Sequence, residues 1–187
     1  AIACDRNRKE YHWHLAVQLR TLGRYGEAND ALKAALELDP AYGEAHVLLA
    51  EIALAQGQPA QAEVHYRDAL LALPPDDAIR MGLGRAYYLL GRYQEAVAQL
   101  AAVETASADS LFLLGRAHAH LDDFGDAIRC LTQRLEHFGE DAETRYCLAC
   151  ARAHLDDYGG ALADLDRALA AAPDKVDAWV QRGHVLL

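Results

Sequence analysis

The chain has 187 residues, 28 of them acidic and 18 basic, and a formal charge of −10 with histidine neutral. Hydrophobic residues make up 52% and charged ones 25%, which supplies a core and excludes intrinsic disorder. The acid excess, set against only Lys9, Lys33 and Lys175 among lysines, repels phosphate backbones and anionic bilayers, so neither nucleic acid nor membrane insertion is expected. No apolar run reaches the roughly 18 residues of a membrane span, since Glu51 breaks the greasiest stretch, Ala45 to Ala55.

Residues 1–8 form an N-terminal extension. Its Ala1-Ile2-Ala3-Cys4 is similar to the end of a lipoprotein leader, but no apolar stretch precedes it. The lack of an initiator Met and the apolar ending Val185-Leu186-Leu187 read as an excerpt of a longer chain. From Lys9 onward, turn-like tripeptides recur at Gly23-Arg24-Tyr25, Gly57-Gln58-Pro59, Gly91-Arg92-Tyr93, Asp122-Asp123-Phe124 and Asp156-Asp157-Tyr158, spaced by 34, 34, 31 and 34 residues. Each is followed by an alanine (Ala28, Ala62, Ala96, Ala127, Ala161) and, four residues on, by Leu32, Tyr66, Leu100, Leu131 or Leu165. Each is preceded by an apolar–small pair: Leu15-Ala16, Leu49-Ala50, Leu83-Gly84, Leu114-Gly115 and Leu148-Ala149.

Small residues at fixed places let two helices approach, and the large apolar ones three or four residues away fill the space between them. The units predicted are 9–42, 43–76, 77–107, 108–141 and 142–175, with the first helix of a sixth at 176–187. First helices should span about 14 residues and second helices about 12 to 14. Pro40, Pro74 and Pro173 mark the ends of second helices, and Pro59 opens one. The third unit is three residues short and passes through Thr105-Ala106-Ser107 without a proline. The aspartate pairs Asp122-Asp123 and Asp156-Asp157 read as caps for the helices that follow. Half a sixth unit should leave Val180, Leu186 and Leu187 partly bare, available to a second copy or to further chain.

Leu83-Gly84-Arg85-Ala86-Tyr87, Trp179 with Gly183, Ala62 with Tyr66, and Leu38-Asp39-Pro40 resemble the tetratricopeptide repeat, and similar matches recur through residues 9–187. Asp122 and Asp156 depart from it, standing where the turn usually has glycine. The resemblance implies an all-α fold, a right-handed α-solenoid (superhelix) of tandem helix-turn-helix hairpins. It implies a non-catalytic protein–protein interaction scaffold that binds a partner peptide or helix in a concave groove. The alternative is the recruitment or oligomerisation portion of a larger enzyme or of a secretion or assembly component.

If first helices line the concave face, as the resemblance implies, the inward stripe comprises Trp13, Val17 and Arg20; Val47, Glu51 and Leu54; Met81, Arg85 and Tyr88; Phe112, Arg116 and His120; Tyr146, Cys150 and His154. Aromatics and methionine mixed with arginine suit a binding surface, and the groove assignment rests on Trp13, Glu51, Met81, Arg85, Tyr88, Phe112, Arg116, His120, Tyr146, Cys150 and His154. Val47, Leu54 and Met81 read equally as packing. Arg85 and Arg116 hold equivalent places and suit a carboxylate, or else pair with Glu51, Asp109 or Glu143.

Cys147, Cys150 and His154 share one helical stripe, and His120 offers a fourth donor for zinc. Buried free cysteines are more ordinarily small hydrophobes, so no metal and no cofactor is expected. No H-E-x-x-H, G-x-S-x-G or phosphate-binding G-x-x-x-x-G-K occurs, and no catalytic activity is expected. Free thiols favour a cytoplasmic chain, with a periplasmic or membrane-tethered location left open.

Overall fold

A computed structural model describes residues 8–74 and 76–186. The extension at 1–8, except Arg8, and the expected exposure of Leu187 lie outside the described residues. Among these there are eleven helices and no strand: α1 Lys9–Thr21, α2 Tyr25–Leu38, α3 Gly43–Ala55, α4 Pro59–Ala72, α5 Asp77–Leu89, α6 Tyr93–Leu100, α7 Ala108–His120, α8 Phe124–Phe138, α9 Ala142–His154, α10 Tyr158–Ala171 and α11 Val176–Val185. They fall into two compact units, Ala1–Arg92 and Tyr93–Leu187.

In the first unit α1 packs on α2 and α3 on α4 as antiparallel hairpins, and α5 packs on α4; α3 also touches α1, α2 and α5. The seam is built on alanine. Ala16, Ala28, Ala35, Ala45 and Ala50 are wholly buried, and Leu32 and Ile52 fill the space that these small residues leave. Leu49 and Leu83 are buried in the same way, but their counterpart Leu15 is 40% exposed, because no described helix packs in front of α1.

The second unit follows the same logic, with hairpins α7–α8 and α9–α10 flanked by α6 and α11. Leu131, Leu148 and Leu165 are fully buried beside Ala127, Ala149 and Ala161. One charge sits inside this seam. Asp164, 1% exposed, lies 2.7 Å from Arg145 Nη1 and 2.8 Å from Arg152 Nη1, and Arg145 also pairs with Glu140. Removing one member of such a buried set strands the others and costs about 3–5 kcal/mol.

The five hairpin turns share one backbone. Gly23, Gly57 and Gly91 have φ between +69° and +74°, and Asp122 and Asp156 have φ of 60° and 59°. Each turn closes with an amide reaching back five residues: Arg24 to Leu19, Gln58 to Ala53, Arg92 to Tyr87, Asp123 to His118 and Asp157 to Arg152, all at 2.8–3.0 Å. This is the six-to-one bond of a left-handed helix stop. Asp tolerates that conformation better than other residues with a Cβ, so the two aspartates preserve the turn that glycine makes elsewhere. As a cap, Asp157 accepts from the Gly160 amide at 2.9 Å. Asp123 caps nothing; its carboxylate instead lies 3.6 Å from His118 Nδ1.

Helices α2, α4 and α10 stop two residues before Pro40, Pro74 and Pro173, as the restricted residue preceding a proline requires. The second helix of the short unit, α6, has only eight residues rather than 12 to 14. Ser107 ends the loop after it by opening α7 with a reciprocal capping box to Ser110.

In the first unit α5 lies tightly over Tyr66 of α4. Tyr66 is 3% exposed, and a Cβ on Gly82 would lie 2.2 Å from its ring and hydroxyl. Overpacking costs about 1–3 kcal/mol, more than the roughly 1 kcal/mol that alanine gains over glycine in a helix. Gly82→Ala should therefore lower the thermal midpoint followed by circular dichroism, and adding Tyr66→Leu should restore part of it.

Candidate functional site

Helices α7, α8 and α9 enclose a cleft of about 190 Å³ in the second unit, lined by Arg116, Ala119, His120, Phe124, Leu131, Tyr146, Cys147, Cys150, Ala151 and His154. Its walls arise from the repeat. Residues four apart along α7 (Arg116, His120) and α9 (Tyr146, Cys150, His154) stack one turn above another, while Leu131 of α8 forms the floor.

Two ring stacks fix the rim. His154 lies on Phe124 with centroids 4.3 Å apart and planes within 3°, and His120 lies on Tyr93 at 4.2 Å and 7°. In both, the last residue of a first helix covers the aromatic that opens an earlier second helix. Phe112 has two guanidinium groups near its ring, Arg116 at 5.5 Å and Arg134 at 5.7 Å from its centroid. Lys175 stands 4.9 Å over the Tyr146 ring while paired with Glu143 at 2.5 Å, and that pairing raises its pKa.

The thiol and phenol groups that α9 brings to the cleft are poor acids. Burial pushes the Cys147 thiol up to about 12 and raises Cys150 as well. Burial likewise pushes Tyr146 up to about 12, and the neighbouring Cys150 adds to the rise. Among the described residues, the donor atoms of His120, Cys147, Cys150 and His154 do not converge to within 4.8 Å of one another. The two histidines are held apart in separate ring stacks.

The other stripe residues lie in the first unit. Trp13 is half-buried against the α1–α3 core, and its indole N–H donates to the Glu44 carbonyl at 3.2 Å, so it packs as well as presents a face. Glu51 is ion-paired with Arg20 rather than with Arg85. Met81 and Tyr88 are half-buried on α5 and Arg85 is exposed. Arg85, Glu51 and Arg20 surround Tyr66, whose hydroxyl is raised mainly by burial.

Sequence reasoning missed Phe124, Ala119 and Tyr93. A signal was present: an aromatic recurs as the third residue of four turn tripeptides, at Tyr25, Tyr93, Phe124 and Tyr158, and histidine closes two first helices.

For Cys147, a thiol pushed up to about 12 by burial holds about a thousandfold less thiolate at pH 8 than an ordinary thiol, and the greater nucleophilicity of a more basic thiolate returns some 10- to 30-fold. Iodoacetamide at pH 8 should label Cys147 about 30- to 100-fold more slowly in the native chain than in urea, followed by peptide mass mapping. Equal rates would contradict its burial.

Residues 19–65 and 53–110 each match a tetratricopeptide repeat profile, and residues 112–176 match a second profile of the same description. No curated protein matches the chain. Among solved structures, YrrB, described as a TPR protein with an unusual peptide-binding site, is 19% identical with a TM-score of 0.89 over 96% of this chain and 94% of that one. MamA from Desulfovibrio magneticus RS-1 is 17% identical with a TM-score of 0.82 over 91% and 97%. TTC0263, a thermophilic TPR protein from Thermus thermophilus, is 26% identical with a TM-score of 0.61 over 95% and 98%. Tandem hairpins on an alanine seam, matched profiles over most of the length and the shared solenoid fold of these neighbours lead to one conclusion: the chain belongs to the tetratricopeptide repeat family.

Proposed function

We propose that the chain is a non-catalytic scaffold that holds a segment of a partner protein, and that the α7–α9 cleft receives one of its side chains. The carrying observation is that Arg116, His120, Tyr146, Cys150 and His154 line one cleft with room for a single large side chain. Its walls are apolar and aromatic, and the Arg116 and Lys175 cations stand beside Phe112 and Tyr146. Buried aromatic and arginine anchors of this kind carry most of the energy in protein interfaces. The description of YrrB as a peptide-binding TPR protein supports the same reading. In the first unit, Trp13, Glu51, Met81, Arg85 and Tyr88 present the corresponding stripe. The same surfaces would serve if the chain is the recruitment portion of a larger enzyme or of a secretion or assembly component.

With a partner identified by affinity capture and mass spectrometry, Tyr146→Ala, Phe112→Ala and Tyr88→Ala should each weaken capture by roughly 5- to 30-fold, the scale of a 1–2 kcal/mol anchor. Circular dichroism should remain unchanged. Undiminished binding by all three folded variants would overturn the groove assignment.

A second reading is self-association through α11. Val176, Trp179, Val180 and Leu186 are 69%, 53%, 51% and 59% exposed on one short terminal helix and its last turn, an apolar patch of the kind that marks interfaces. On this reading the sedimentation mass rises with concentration, and Val180→Asp together with Trp179→Glu returns it to that of one chain.

A further inference from the structure

We propose that His46, His65 and Asp68 form a divalent-metal site, and that zinc is the ion their geometry fits. His46 stands in the first turn of α3, and His65 and Asp68 lie three apart on α4, hence on one face. Their donor atoms all lie within 4.8 Å of one another.

The tautomer of His46 is fixed by its surroundings. Its Nε2 is 3.2 Å from the Pro40 carbonyl oxygen, which can only accept, so the proton resides on Nε2. The Nδ1 lone pair therefore faces the other two groups, 3.4 Å from His65 Nδ1 and 3.8 Å from Asp68 Oδ2. A ring N–H held by a backbone carbonyl is the arrangement that orients a metal-binding imidazole.

The spacing matches a coordination sphere. Two nitrogens each about 2.0–2.1 Å from a tetrahedral ion are separated by ~3.4 Å, the distance between the two Nδ1 atoms. The Asp68 carboxylate, 3.8 Å from His46 Nδ1 and within 4.8 Å of the His65 donor, must close by about 0.5–1.5 Å to reach the ~3.3 Å between ligands of a tetrahedral zinc, a side-chain movement that its 44% exposure permits. The His46 side chain is 12% exposed, so the ion would be half-enclosed, with water in a fourth position. Two imidazoles and one carboxylate favour zinc over the harder calcium or magnesium, which prefer oxygen.

With no ion bound, the same contact is a hydrogen bond from His65 Nδ1–H to His46 Nδ1. Binding would replace that bond and tie α3 to α4, so that part of the binding free energy appears as stability of the second hairpin. This inference stands on residues outside the α7–α9 cleft and does not depend on partner binding.

The test is titration of the full chain, stripped with EDTA, with zinc chloride in a calorimeter. One ion should bind with a micromolar or tighter Kd, and the thermal midpoint should rise with zinc. Cobalt(II) should give ligand-field bands without the intense thiolate charge-transfer band of cysteine ligation. Asp68→Asn, at a partly exposed position that leaves the core intact, and His65→Gln should each weaken zinc binding at least about tenfold. The Cys147→Ser and Cys150→Ser double variant should bind as the parent does. The proposal is overturned if the chain shows no zinc binding at about 100 µM, if the histidine and aspartate variants bind unchanged, or if the cysteine variant alone loses the ion.

Discussion

The structure depends on how closely its helices approach. Alanine and glycine at the contact points bring backbones near enough for leucine side chains to reach across two neighbours at once. Where the smallest residue stands, a large one occupies the opposite space: Gly82 faces Tyr66, and Gly115 faces Leu131. Every other feature is positioned by this spacing. The α7–α9 cleft lies between two first helices held by it, and the triad of His46, His65 and Asp68 spans a single hairpin whose two helices it brings together. Because within each unit the described helices contact neighbours no more than two positions away in sequence, the energetics of each unit are those of a one-dimensional stack.

Much of this was legible in the chain. The recurrence of Ala28, Ala62, Ala96, Ala127 and Ala161 with a large residue four positions on points to paired helices, because one side of a helix repeats at that interval. Prolines placed the ends of α2, α4 and α10, and Pro59 the start of α4. Asp122 and Asp156 look like departures from the glycine turn, yet their backbone angles coincide with it. The letter changed and the conformation did not.

Other features were hidden because they depend on distance in space. His46 and His65 are 19 residues apart and carry no motif, and only the packing of α3 on α4 juxtaposes them. The Phe124–His154 stack joins two residues from different repeats. Trp13 sits on the predicted stripe but also seals a core, a double role that periodicity cannot separate. Asp164, an acid on a helix, reads as a solvent-facing residue, and nothing adjacent announces the two arginines that enclose it.

That buried carboxylate has a consequence for how the two helices of the fifth repeat find each other. A seam of alanines is nearly featureless, and sliding one helix along another by a turn, about 5.4 Å, exchanges one methyl contact for a similar one. Such a slip would pull Asp164 away from Arg145 and Arg152, leaving a naked charge in an apolar interface. The aspartate therefore acts as a detent, making one alignment of α9 against α10 distinct from its otherwise near-equivalent neighbours.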